Sequence, residues 1–193
     1  MSKESKSIFE SANDRHNNAC LNFQNDMSHG YIEGYKKAAD VLISQVADTA
    51  KNQDYLVYPI VFLYRQHIEL LLKKIIKSGR YLLEEKPSYP KHHLINDLWA
   101  LAKEIMNKVE KKSISKEFDI VDQVILELAT TDPESFSFRY PTDKKGNKSN
   151  PQLRYINLRK FGELLGEISS LLGGVDTGMD YYIEQKHEFE RQL

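Results

Sequence analysis

The stretch FLYRQHIELLLKKI, Phe62 to Ile75, places an arginine, a histidine and a glutamate within five positions in a run otherwise suited to a buried helix. At about 100° per residue, Tyr58, Phe62, Arg65, Glu69, Leu72 and Ile76 share one stripe of that helix, and His67 points to the opposite side. Arg65 and Glu69 are one turn apart and within reach of each other. If Phe62 and Tyr58 shield them from water, the pair needs further polar partners, because breaking one side of a buried pair costs about 3–5 kcal/mol. Candidate partners are His93, with Asp97 one turn on, and Arg139, Tyr140 and Asp143 further along the chain. These residue types suit anion binding and proton transfer. An arginine fork holds phosphate or carboxylate in two places, a histidine moves protons near neutral pH, and a carboxylate orients the histidine. Each also has a plainer reading: an edge ion pair for Arg65 and Glu69, a local backbone contact for His93, and a cross-strand contact for Arg139. His67 reads as a satisfied core or interface histidine.

Helices must carry most of these residues. Apolar positions at three- and four-residue steps predict a first helix from Tyr31 to near Asn52 and a second from about Tyr55 to Ser78. Pro59 falls in the first turn of the second, and Gly79 is its expected stop. Leu94 to Val109 marks a third helix, opened by His93, and Ile114 to Leu128 a fourth that ends before Asp132-Pro133. A fifth starts near Asn157, is interrupted at Gly173-Gly174, and is followed by a last helix over Met179 to Arg191. The one non-helical segment is SFSFRYPTDKKGNKSNPQLRYIN, where Phe136, Phe138 and Tyr140 alternate with polar residues around a Lys/Gly/Asn-rich turn. It predicts a β-hairpin or extended insertion over 135–156. The fold class is therefore all-α, with a small β-hairpin or extended insertion. Residues 1–28 read as an N-terminal arm, partly helical, and 29–193 as one helical domain.

At 193 residues, with 40% hydrophobic and 28% charged residues, the chain fits a single globule. Its net charge of −1 carries no whole-domain footprint for sequence-blind DNA binding, though a local basic face is compatible with it. Cys20 is alone, so neither an internal disulfide nor a cysteine zinc site can form. No signal-peptide core is visible, and the longest apolar run, Leu56 to Tyr64, is too short to span a bilayer. These features predict a cytoplasmic protein without a membrane segment. P-loop, dinucleotide, H-E-x-x-H and G-x-S-x-G signatures are absent, so no metal or cofactor is expected.

Taken together and in order, YPIVFLYRQHIELLLK, HHLINDLW and FRYPTDKKGN resemble a group of bacterial HEPN-like helical proteins, over roughly Tyr31 to Leu172. The resemblance implies a helical bundle of about five helices, a homodimer, and a place in toxin–antitoxin, abortive-infection or anti-phage systems. It also implies RNA, a nucleotide or a partner protein from a neighbouring gene as the ligand. Catalytic members are metal-independent endoribonucleases with an arginine followed, after roughly four to six residues, by a histidine. No arginine here has a histidine at that distance, and Arg65 and His67 are only two positions apart, about 200° around a helix. The expectation is thus a non-catalytic module that binds its ligand through Arg65, Glu69, His93, Arg139, Tyr140 and Asp143. One alternative is a divergent endoribonuclease with His93 and Arg139 as catalytic candidates, and another is a dimeric structural scaffold.

Overall fold

The computed structural model describes residues 7–111 and 116–192, apart from the side chain of Glu117. Five α-helices carry the fold: α1 (Ser28–Thr49), α2 (Gln53–Leu82), α3 (Ile95–Glu110), α4 (Asp119–Thr131) and α5 (Leu158–Arg191). Short 3-10 turns lie at Arg15–Asn17 and Lys116–Phe118, and no strand occurs among the described residues. The chain is all-α.

Helix α2 is the axis. It packs against α1, α5 and α3, and α4 closes the far side against α3 and α5. Thirty residues rising about 1.5 Å each give a rod of about 45 Å, long enough to touch every layer. Ile60, Ile68, Leu72, Ile75 and Ile76 are completely buried along it. They meet Leu98 and Ile105 of α3, Ile125 of α4, and Ile168 and Leu172 of α5 in one continuous core.

Helix boundaries follow local chemistry at some ends and packing at others. The Asp26 carboxylate accepts the Ser28 amide at 2.8 Å where α1 begins. The Asn157 side chain accepts the Lys160 amide at 3.0 Å where α5 begins. Left-handed Ala50 and Asn52 make the tight corner between α1 and α2. Two expected breaks do not occur, and a proline lies deeper in its helix than expected. Pro59 is the seventh residue of α2 and is accommodated inside it, not in its first turn. Gly79 does not end α2 but lies buried within it. Gly173-Gly174 does not interrupt α5, which runs unbroken through Met179 to Arg191. Ile168, Leu172 and Met179 are buried on both sides of the diglycine, so tertiary packing outweighs a helix penalty of about 1 kcal/mol per glycine. The fourth helix starts later than periodicity suggests, at Asp119, and Ile114 lies outside the described residues.

The segment between α4 and α5 is neither a hairpin nor a pair of strands. A single antiparallel bridge joins Thr142 and Lys148. The Asp132 carboxylate accepts the Phe136 and Ser137 amides at 2.7 and 2.9 Å and curls the chain into a turn. The Arg139 and Tyr140 amides then both donate to the Phe136 carbonyl. The alternation of Phe136, Phe138 and Tyr140 is thus spacing within a turn: Phe138 is buried, while Phe136 and Tyr140 stack at 4.5 Å.

Glycine substitutions separate close packing from helix propensity. A Cβ at Gly79 would meet Ile105 Cγ2 at 2.2 Å, whereas one at Gly174 meets nothing within 4 Å. Gly79→Ala should destabilise the protein by about 1–3 kcal/mol through overpacking. Gly174→Ala should stabilise it by about 0.5–1 kcal/mol. Urea unfolding of the two variants checks the opposite signs.

Candidate functional site

The expected polar cluster forms, in part. Arg65 is fully buried, and its guanidinium is bonded on nearly every side. Nη1 donates to Glu69 Oε2 at 3.1 Å, one helical turn away. Nη2 donates to the His93 carbonyl at 2.8 Å and the Pro133 carbonyl at 3.3 Å, while Nε donates to the Asp132 carbonyl at 3.1 Å. One side chain therefore ties α2 to the loop before α3 and to the end of α4. Burial draws the Arg65 pKa down, and the charges of Asp132 and Glu69 oppose that pull.

Glu69 is equally buried and shares Oε1 between Lys73 Nζ at 2.7 Å and His93 Nδ1 at 2.8 Å. Burial alone would raise its pKa, but the hydrogen bonds from Lys73 and His93 outweigh it and hold the carboxyl below its usual value. His93 lies just before α3, not within it, and its imidazole is half-exposed. Nε2 carries no hydrogen bond among the described residues. A carboxylate on Nδ1 with Nε2 turned outward is the arrangement of an oriented proton acceptor.

The remaining expected residues lie elsewhere. Asp143 is exposed and occupied by its own turn: its carboxylate accepts the Lys145 and Asn147 amides and the Asn147 side chain, at 2.8–2.9 Å. It orients no histidine. Arg139 is exposed, donates from Nε to the Ser135 carbonyl at 2.5 Å, and lies 5.6 Å from the ring centres of both Phe62 and Tyr140. Asp97 is exposed at the start of α3. His67 is a core histidine that joins three helices: Nδ1 meets the Ile32 carbonyl at 2.9 Å and Nε2 the Ser169 hydroxyl at 2.8 Å. A carbonyl only accepts, so the neutral ring carries its proton on Nδ1 and accepts from Ser169.

Two members of the buried cluster escape a sequence reading. Lys73 looks like part of a polar strip but is buried against Glu69. Asp132 looks like a helix terminator but is 2% exposed and caps the following turn. The i, i+4 spacing from Glu69 was the available signal for Lys73; for Asp132 nothing local distinguishes a cap from a core partner.

Arg139 and Tyr140 instead help form an open groove of about 810 Å³ between the start of α2 and the 137–156 loop. Tyr58, Lys148, Arg154 and Tyr155 also line it. Tyr155 is 91% exposed and Tyr58 about half exposed, so their rings offer surface to a ligand, while Tyr140, also half exposed, already packs against Phe136 and Arg139. Over residues 139–160 there are seven basic residues (Arg139, Lys144, Lys145, Lys148, Arg154, Arg159, Lys160) and one acidic, Asp143, a formal +6 in a chain that totals −1. All seven are exposed, and none forms a salt bridge among the described residues. This concentration was present in the sequence, hidden by averaging over the whole chain.

Among the described residues no three His, Cys, Asp or Glu side chains gather as a metal site. No helix among them is long and apolar enough to cross a membrane. Comparison with models of known families, with curated proteins and with solved structures finds no match to this chain.

Arg65→Ala should lower stability by about 3–5 kcal/mol, because it removes one partner of the buried Glu69 carboxylate and the donors of the Asp132, His93 and Pro133 carbonyls. Arg65→Lys should rescue little of this, since an ammonium cannot span four acceptors as the guanidinium fork does. Chemical denaturation of both variants checks it. Burial pushes the His67 pKa down, opposed by its bond to the Ile32 carbonyl. A neutral buried histidine stabilises fully above its unfolded value of about 6.5, and that stability is lost as pH falls toward the lower folded value. Melting curves from pH 8 to 5 should therefore drop below about pH 6.5, and His67→Gln should flatten that drop.

Proposed function

We propose that this chain is a non-catalytic, HEPN-like module that binds single-stranded RNA along the groove between α2 and the 137–156 loop. The observation that carries this reading is the +6 segment 139–160, whose Arg139, Lys148 and Arg154 line the groove together with the exposed rings of Tyr58 and Tyr155. Free Arg and Lys neutralise phosphates and release their counterions, and exposed aromatic faces stack on bases without sequence preference. The lining supports binding over cleavage: it contains no histidine, and its only carboxylate is Asp54. Arg65 contributes indirectly, by fixing the Asp132 and Pro133 carbonyls at the root of the loop.

One observation favours a second reading, a divergent endoribonuclease: the oriented His93–Glu69 pair with its outward Nε2. It falls outside the groove lining, which places it second.

Fluorescence anisotropy with a labelled single-stranded RNA tests the first reading. Arg154→Ala and Lys148→Ala should each reduce the slope of log K against log salt by about 0.7, the single-strand value per phosphate contact. Tyr155→Ala should weaken binding by about 1–3 kcal/mol. No binding at low salt, or binding indifferent to all three variants, overturns the proposal. Incubation of mixed RNA with wild type and His93→Gln in EDTA separates the readings. Intact RNA in both lanes fits a binding module, whereas cleavage by the wild type alone establishes the nuclease.

A further inference from the structure

A second cavity, of about 650 Å³, shares no lining residue with the groove. It lies among the start of α1, the C-terminal half of α2, the loop after α2 and the C-terminal half of α5. Its size falls in the range of small-molecule sites. Tyr31, Tyr81 and Tyr89 supply aromatic walls, and Leu70 and Ile183 are among its apolar residues. Tyr31 is 61% exposed and Tyr89 46%, so ring surface is left open to water where a planar ligand would cover it. Tyr81 is held in place by its hydroxyl, 2.7 Å from His187 Nε2.

Both signs of charge surround these rings. Lys73, Lys74 and Lys77 project from α2, while Asp26 and Asp180 come from the segment before α1 and from α5. Lys77 Nζ donates to Asp26 at 3.1 Å, and Lys74 Nζ donates to Asp180 Oδ2 at 2.9 Å. The Asp26 carboxyl is held down to about 2, chiefly by its bonds from Ser28 and with help from Lys77, so it stays ionised. Lys73 lies 5.8 Å from the centre of the Tyr89 ring and uses one N–H on Glu69. Each ammonium carries three N–H donors, so Lys73 and Lys77 keep donors to spare. Asp180 Oδ1 likewise carries no hydrogen bond among the described residues. A plain anion entering here would face Asp26 and Asp180, and a plain cation would face the lysines. A ligand with one charge of each sign can set each beside an opposite charge of the wall.

We propose that this cavity binds an aromatic α-amino acid, its ring among the tyrosines, its carboxylate on Lys77 and Lys73, and its ammonium on Asp180. The site is separate from the RNA groove and does not depend on that reading.

Isothermal titration of the full chain with L-tryptophan, L-phenylalanine and L-tyrosine tests it. At least one should bind with one-to-one saturation. Its analogues lacking the carboxylate or the ammonium (tryptamine and indole-3-acetate for tryptophan, the matching pairs for the others) should bind at least roughly tenfold more weakly, as expected for losing a charged hydrogen bond. Glycine, without a ring, should not bind. Lys77→Gln and Asp180→Asn, at side chains 44% and 54% exposed, should melt like wild type and bind at least roughly tenfold more weakly. Arg154→Ala should bind normally. The proposal is overturned if none of the three binds at about 10 mM, a concentration that would detect even a weak complex of a few kcal/mol. Equal affinity for the singly charged analogues overturns it too, and that arm needs no variant to fold. So does binding that survives both cavity variants.

Discussion

A guanidinium taken wholly out of water must find acceptors for its N–H groups within the protein, and Arg65 finds them on three separate segments. The cost of leaving any donor unmet in the core is larger than the worth of the bond itself. Glu69 supplies the compensating charge from the next turn of the same helix. The His93, Asp132 and Pro133 carbonyls supply the rest, and because they belong to two loops the arginine sets where both loops meet α2. The chain before α3 and the chain after α4 thereby converge on one point of the central rod. Asp132 continues the effect outward: its carbonyl binds Arg65 while its carboxylate caps the turn that presents Phe138, Arg139 and Tyr140.

This divides the ionisable residues into two populations. Arg65, Glu69, Lys73 and Asp132 are buried and spend their bonding capacity on one another and on backbone. Arg65 and Asp132 have little left for a ligand, whereas the Lys73 ammonium spends one N–H on Glu69 and borders the cavity beside Tyr89. Arg139, Lys148 and Arg154 are exposed beside open aromatic faces and carry free charge. The first group makes the scaffold and the second makes the surface that the scaffold displays. His93 stands between them, anchored through Nδ1 and its carbonyl to the buried cluster while its ring reaches solvent.

Close packing completes the positioning. Histidine 67 holds α1 and α5 to α2 by two hydrogen bonds, and the absence of a side chain at Gly79 lets Ile105 of α3 reach the α2 backbone. The helices therefore meet α2 through specific contacts as well as through apolar area, which fixes the openings between them.

An all-α body was legible in the residue pattern, because burial of one helical face imposes a 3.6-residue period that survives without any knowledge of the partners. The Arg65–Glu69 pair was legible for the same reason: a spacing of four is a local fact. The extension of that pair to His93 followed from asking which polar residues remained to satisfy it. Gly79, Gly173 and Gly174 misled, since their local preference for ending a helix is small beside the core contacts on either side. The hairpin misled because a turn curled by Asp132 and a strand can show the same alternation. Asp143 and Arg139 could not be assigned from spacing, as whether a loop carboxylate serves its own turn or a distant histidine depends on where the loop travels. Contacts across sixty or more residues, such as Arg65 to Asp132, leave no periodic trace in a chain. They exist only once the helices have packed and the desolvated arginine has drawn its acceptors in.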